Sequence, residues 1–81
     1  MYPINEYSAA VKQLQTYLLT ISYRDEIPYM PHISIDGIYG ENTRTAVMDF
    51  QKKYGIPATG IVNYETWQAI YSVYKYGKKY P

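Results

Sequence analysis

The chain has no cysteine, and among its 81 residues it has a single histidine, His32. Without cysteine, no disulfide can hold the fold, and no thiolate can attack a substrate or bind a metal. A serine nucleophile needs a histidine base, but His32 lies between Pro31 and Ile33 and belongs to no recognisable triad pattern. His32 and Asp36 are the only local pair of candidate zinc ligands, and a zinc site needs at least three protein ligands. We therefore expect no catalytic residue, no metal and no cofactor.

Strong charge and long apolar runs are missing as well. The formal net charge is +1, and nucleic-acid binders need a positive excess to neutralise phosphates, so we expect no nucleic-acid partner. No apolar run approaches the roughly 18 residues of a membrane-spanning helix, so we expect no membrane partner. Residues 1–6 lack the basic and then hydrophobic order of a signal sequence, and we expect this chain to be a fragment or a module of a larger protein.

Apolar residues and tyrosine are abundant, since 47% of the residues are hydrophobic and twelve are tyrosine. A chain this short has room for one core, so we predict a single domain over residues 1–81 with its core in residues 8–74. Tyrosine suits both a core and a polar-ligand surface, because its ring can be buried while its hydroxyl reaches water. Lys75, Lys78 and Lys79 follow this core, and we interpret residues 75–81 as a basic tail or a linker.

Apolar residues recur at the spacing of an amphipathic helix in three places. The first stripe predicts a helix over about residues 8–22, with Ser8 as its N-cap and Gln15 on one of its other faces. The second predicts a helix over 41–53 that stops at Gly55, and the third predicts a helix over 64–76 that follows the N-cap Asn63. The stripes are Val11, Leu14, Leu18 and Ile21; Thr43, Ala46, Val47, Phe50 and Tyr54; and Thr66, Ala69, Ile70 and Val73, with Tyr74 as a further candidate. The predicted fold is all-α, a compact three-helix bundle.

A long connection, residues 23–40, joins the first two predicted helices. Its apolar content predicts an ordered loop, with a short extended piece where Ile33 and Ile35 alternate with polar residues. The turn at Gly37 also begins a repeat, because its pattern of Gly-Ile, then Thr, then Ala and a branched apolar residue returns 23 residues later at Gly60. We interpret the repeat as two similar turn-and-helix units packed around the first helix.

The most specific string is DGIYGENTRTAVMDFQ, residues 36–51. Val11, Leu14 and Gln15 precede it, and Gly55-Ile56, Thr59-Gly60, Val62 and Thr66-Trp67 follow it. This order resembles the small three-helix peptidoglycan-binding domains attached to bacterial amidases, muramidases and spore-cortex hydrolases, and the resemblance covers about residues 8–74. It implies their fold and a non-catalytic binding of peptidoglycan, through the glycan strand or the stem peptide. It also implies an attached hydrolase domain and a place at the cell wall, outside the cytoplasm.

Most positions of this motif have a structural explanation. Glycine at 37, 40, 55 and 60 suits backbone angles that a Cβ forbids. The Asp36 carboxylate can accept N–H bonds within its own turn, and the hydroxyls of Thr43 and Thr66 can bond free backbone groups of a first helical turn. The motif therefore indicates the ligand only through kinship.

A peptidoglycan ligand offers sugar faces for aromatic rings and polar groups for fixed donors and acceptors. We expect residues of both kinds to line a shallow groove between the long loop and the starts of the second and third helices. The candidates are Tyr29, Tyr39, Asn42, Arg44, Gln51, Tyr64 and Trp67. Tyr39 and Trp67 have packing as the alternative role, and Arg44 has an ion pair with Glu41 at i, i+3.

A second interpretation keeps the fold without glycan binding. The chain would then be a protein-interaction or structural domain, for example in a phage-tail-like or spore assembly. Residues 24–32 look like an extension relative to most members of the family, and such an extension would tune the ligand or replace it with a protein partner.

Overall fold

The computed structural model describes residues 9–25 and 33–77, with side chains at 10–23 and 33–77. Three helices make up its regular structure: α1 at Ala9–Asp25, α2 at Glu41–Lys53 and α3 at Tyr64–Tyr76. The described residues contain no strand, so the predicted all-α three-helix bundle is confirmed, as are both bounds of α2 and α3. α1 runs three residues beyond its predicted end. Ser8, its predicted N-cap, lies outside the described residues.

The core forms where the three apolar stripes meet. α1 packs along α3 and, over a shorter length, against α2. Every stripe residue named from the sequence is buried except Tyr54 and Tyr74, which are half-buried. Tyr54 packs against Phe50 with ring centroids 4.6 Å apart. Each large apolar side chain so enclosed contributes about 1.5–3 kcal/mol to stability. None of the described helices is long and apolar enough to cross a membrane.

The helix ends follow the predicted signals. Gly55, with φ 72°, comes just after α2, and the amide of Ile56 returns to the carbonyl of Gln51 at 2.8 Å. The side chain of Asn63 accepts a hydrogen bond from the amide of Thr66 at 2.9 Å, as an N-cap does. Gly40 differs from the prediction, because its φ of −98° is open to any residue.

The loop before α2 is described from residue 33 onward. Ile33 is buried, whereas Ile35 is exposed and no strand forms at residues 33–35. The alternation of residues therefore does not reflect a strand with one buried face. Residues 26–32, which make up much of the long connection, lie outside the described part of the chain.

The burial of Gln15 is the clearest difference from the sequence prediction, which placed this residue away from the apolar face of α1. Its side chain is only 1% exposed. Its carbonyl oxygen accepts the amides of Asp36 at 3.1 Å and Gly37 at 2.9 Å. Its amide nitrogen donates to Asp36 Oδ1 at 2.9 Å, to the Ile38 carbonyl at 3.0 Å and to Thr43 Oγ1 at 3.1 Å. One side chain thus ties α1 to the first glycine turn and to the first turn of α2.

Gln51 makes corresponding contacts in the second unit of the repeat, with the Thr59 hydroxyl at 3.5 Å in place of the Asp36 carboxylate. Its carbonyl oxygen accepts the Gly60 amide at 2.9 Å, and its nitrogen donates to the Ile61 carbonyl and to Thr66 Oγ1, each at 3.1 Å. The equivalence with Gln15 extends the predicted repeat to its side-chain hydrogen bonds. It also corrects the role expected for both threonines, whose hydroxyls accept from a buried glutamine. We call the contacts of Gln15 and Gln51 the two glutamine clamps.

We predict that Gln15→Met lowers the free energy of unfolding by about 2–3 kcal/mol, because methionine fills the space but leaves the turn amides and a hydroxyl without partners. Chemical denaturation measures the change. Gln68→Met, at an exposed position of α3, is the matched control and should shift stability by less than about 0.5 kcal/mol. Equal losses in the two variants would show that the clamp adds nothing to stability.

Candidate functional site

The two glycine turns meet through Tyr39. Its hydroxyl donates to the carbonyl oxygen of Gly60 at 2.5 Å, and its half-buried ring packs against the core. Burial raises the pKa of Tyr39 to about 12, although the nearby positive charge of Arg44 acts in the opposite direction. The phenol is therefore a neutral donor at physiological pH, and it is already committed to the second turn.

Arg44 crosses the face of Gly60. A Cβ added to Gly60 would lie 2.8 Å from Arg44 Cγ, 3.0 Å from Arg44 Nε and 3.2 Å from Met48 Cγ. The φ of Gly60 is +74°, a conformation that residues with a side chain rarely adopt. Both the backbone angle and the close approach of the arginine stem thus require glycine at this position.

Arg44 is an exposed residue of α2. Among the described residues no ion pair or hydrogen bond engages its guanidinium, and the predicted pair with Glu41 does not form. The side chain of Arg44 is therefore exposed, while its Cγ and Nε lie against Gly60.

A shallow open cavity of about 250 Å³ lies beside the start of α2. Asn42 lines it, together with residues of the 34–40 segment and the neighbouring first-turn residues of α2. The Asp36 carboxylate borders the cavity. Its pKa lies below the usual value mainly because the Ile38 amide donates a hydrogen bond to it, and secondly because the Gln15 side chain does. The cavity is polar and solvent-open, so it can admit hydroxyl or amide groups.

The remaining candidates occupy three different environments. Tyr64 opens α3 with a side chain that is 61% exposed. Gln51 is 1% exposed and its amide is bonded within the second glutamine clamp, so a ligand has no direct access to it. Tyr29 lies outside the described residues.

Trp67 lies in an aromatic cluster between α1 and α3. Its ring centroid is 5.5 Å from that of Tyr17, which also contacts Tyr71 at 6.0 Å and stacks on Tyr74 at 4.2 Å. Lys75 lies over the neighbouring ring of Tyr71 at 5.6 Å. Trp67 is half-buried here. The structure thus groups Tyr39 with Arg44, puts Asn42 in the adjacent cavity, and assigns Trp67 to the seam between the helices.

Comparison with known families gives a direct result. The family described as "Putative peptidoglycan binding domain" matches residues 7–70 of this chain. The chain belongs to this peptidoglycan-binding domain family. It is also 40% identical over 60 residues to "Probable N-acetylmuramoyl-L-alanine amidase" of Bacillus licheniformis, which is 74% of this chain and 16% of that protein. No solved structure gives a significant match.

In this member of the peptidoglycan-binding domain family, much of the recognisable motif is buried. Gln15 donates a hydrogen bond to Thr43, and Gln51 donates one to Thr66; all four side chains are buried. The structural role expected for the motif is therefore found, through glutamine contacts that the sequence analysis did not predict. The repeat offset was the available signal, because it places Gly37 and Gly60, the two clamped turns, in register.

Sequence reasoning also missed the contact between Arg44 and Gly60 and the exposure of two isoleucines. Ile38 and Ile61, which follow the two turn glycines, are 44% and 49% exposed. The described residues contain no group of three or more histidine, aspartate or glutamate side chains able to share a metal ion. The described residues near the two glycine turns offer aromatic rings, polar groups and the Arg44 cation.

We predict that Tyr39→Phe lowers stability by about 1 kcal/mol near neutral pH, because the bond to Gly60 is lost. The pKa of Tyr39 is raised from 10.0 to about 12, so its protonated form favours folding fully below about pH 10. This contribution disappears as pH rises through 12. The stability difference between wild type and Tyr39→Phe, followed by denaturant unfolding, should therefore shrink in that window.

The control for loss of a phenol is Tyr23→Phe, because Tyr23 is 70% exposed. It should track wild type across the same pH range. A Tyr39→Phe difference that stays constant up to pH 12 would contradict the assigned hydrogen bond.

Proposed function

We propose that this chain binds bacterial cell-wall peptidoglycan without acting on it chemically. The match of the peptidoglycan-binding family over residues 7–70 carries the proposal. The exposed groups near the two glycine turns are consistent with it, since they combine aromatic, amide and cationic chemistry. No catalytic role is assigned to any residue.

The binding surface that we propose is formed by Tyr39, Asn42, Arg44 and Tyr64. Tyr64 supplies an exposed ring for a sugar face, Asn42 borders the open cavity, and Arg44 supplies a positive charge. Tyr39 contributes by positioning the second turn under Arg44.

The other three candidates keep lesser roles in the proposal. Gln51 acts only by holding the Gly60 turn. Trp67 and Tyr29 would extend the surface at its edges, Trp67 through the exposed part of its ring.

We propose a tethering role for the module. The Bacillus licheniformis relative, named as an amidase, is matched over only 16% of its length. We propose that this chain likewise stands beside a hydrolase or another wall-associated part, outside the cytoplasm. A single shallow site binds modestly, but a polymer with many copies of its ligand raises the local concentration of the attached part.

The exposed isoleucines favour one alternative. Ile38 and Ile61 occupy equivalent positions after the two turns and place apolar surface beside the proposed site. A protein partner would use such surface more readily than a glycan would. The chain would then be a structural or interaction domain, and it would fail to bind purified walls.

We predict that the domain sediments with purified sacculi and that Tyr64→Ala weakens this capture severalfold with little change in thermal midpoint, because the ring is 61% exposed. Tyr76→Ala is the matched control. Tyr76 is 55% exposed at the far end of α3, about 18 Å along the helix axis. Absence of capture above that of an unrelated protein would exclude wall binding and favour the interaction domain.

A further inference from the structure

We propose that Arg44, positioned by Gly60, is a carboxylate-binding site for the peptide stems of peptidoglycan. This inference rests on the proposed function and deepens it by naming the chemical group recognised. The geometry points to it because Arg44 is exposed, its Cγ and Nε lie against Gly60, and the neighbouring Tyr39 hydroxyl holds the carbonyl of that glycine.

In the part of the chain that the structure describes, the guanidinium of Arg44 has no ion pair or hydrogen bond. Glu41, three residues earlier on α2, is close enough in sequence for a pair that is nevertheless absent. An arginine that serves stability alone would gain from that pair, whereas a binding arginine must keep its donors free.

The stem of Arg44 is preorganised by its contact with Gly60. Arg44 Cγ and Nε lie so close to Gly60 that any side chain there would collide with them. The Cγ of Met48 lies against the same glycine, and the Tyr39 hydroxyl fixes the glycine carbonyl from within the fold. A stem restrained in this way loses less conformational freedom when the guanidinium binds a ligand.

A carboxylate suits the guanidinium of Arg44 better than a neutral group does. The planar guanidinium presents paired N–H donors that match the two oxygens of a carboxylate. Glycan strands offer mostly neutral hydroxyl and amide groups, whereas stem peptides carry free carboxylates. Since Tyr39 stays protonated, with its pKa near 12, it places no competing negative charge beside the arginine.

The experiment compares native sacculi with sacculi whose stem carboxylates have been converted to amides. Wild-type protein should bind the amidated walls about three- to tenfold more weakly. Arg44→Gln should weaken binding to native walls by a similar factor and bind amidated walls as wild type does. Arg44→Lys should fall between the two, because it keeps the charge and loses the paired donors.

Lys52→Gln is the matched control for charge. Lys52 is exposed on the same helix, eight residues from Arg44 and about 12 Å along the axis. It should bind both wall preparations as wild type does. If Arg44→Gln behaves like Lys52→Gln, or if wild type binds both preparations equally, the carboxylate site is wrong while wall binding stands. If wild type binds neither, the proposed function fails and this inference fails with it.

The role of Gly60 has its own matched pair. Gly60→Ala and Gly55→Ala both place a side chain at positive φ, at +74° and +72°, but an added Cβ meets nothing within 4 Å at Gly55. Both variants should lower the thermal midpoint, and Gly60→Ala alone should weaken binding to native walls. It should add no further loss in an Arg44→Gln background, because the two changes act through one contact. Equal binding by the two alanine variants would overturn the positioning role.

Discussion

The buried amide of Gln15, together with its counterpart Gln51, is the interaction on which the rest of this fold depends. Each is 1% exposed, and the polar atoms of each are satisfied by a glycine turn and a threonine hydroxyl. A buried amide without partners would cost about 1–3 kcal/mol, so such a group is tolerated only when its network is complete. The chain has no cysteine. In a domain of this size, these hydrogen bonds take the place that disulfides have in other small domains. They link α1 to the turn at Gly37 and α2 to the turn at Gly60.

The clamps also determine where binding chemistry can form. Gln51 fixes the amide of Gly60, Tyr39 fixes its carbonyl, and Arg44 lies across its open face. The two peptide groups that flank the Gly60 Cα are therefore each held by a buried or half-buried side chain, and the proposed ligand-binding residue covers the glycine between them. This sequence of contacts explains how an exposed arginine can have a defined position without an ion pair. It also means that the proposed site depends on the buried Gln51, which holds the glycine turn.

The sequence predicted what periodicity and local capping decide. α2 and α3 begin and end as predicted because Gly55 and Asn63 give unambiguous stop and start signals next to strong apolar stripes. Gln15 was misplaced because periodicity treats an amide as a surface group, and only a partner 21 or more residues away makes its burial favourable. Gly40 was misjudged because a glycine between a turn and a helix resembles one that needs a positive φ.

The site was harder to predict than the fold for the same physical reason. The i, i+3 rule suggested an ion pair between Arg44 and Glu41, but the stem of Arg44 instead crosses Gly60, sixteen residues further along the chain. No local rule encodes that approach. The repeat does contain it indirectly, since two clamped turns must lie side by side for Tyr39 of one unit to reach Gly60 of the other. Most residues of the motif make these internal contacts. The fold therefore does not dictate the identity of the exposed residues between the turns. A preference for one wall chemistry over another would be determined by those exposed residues.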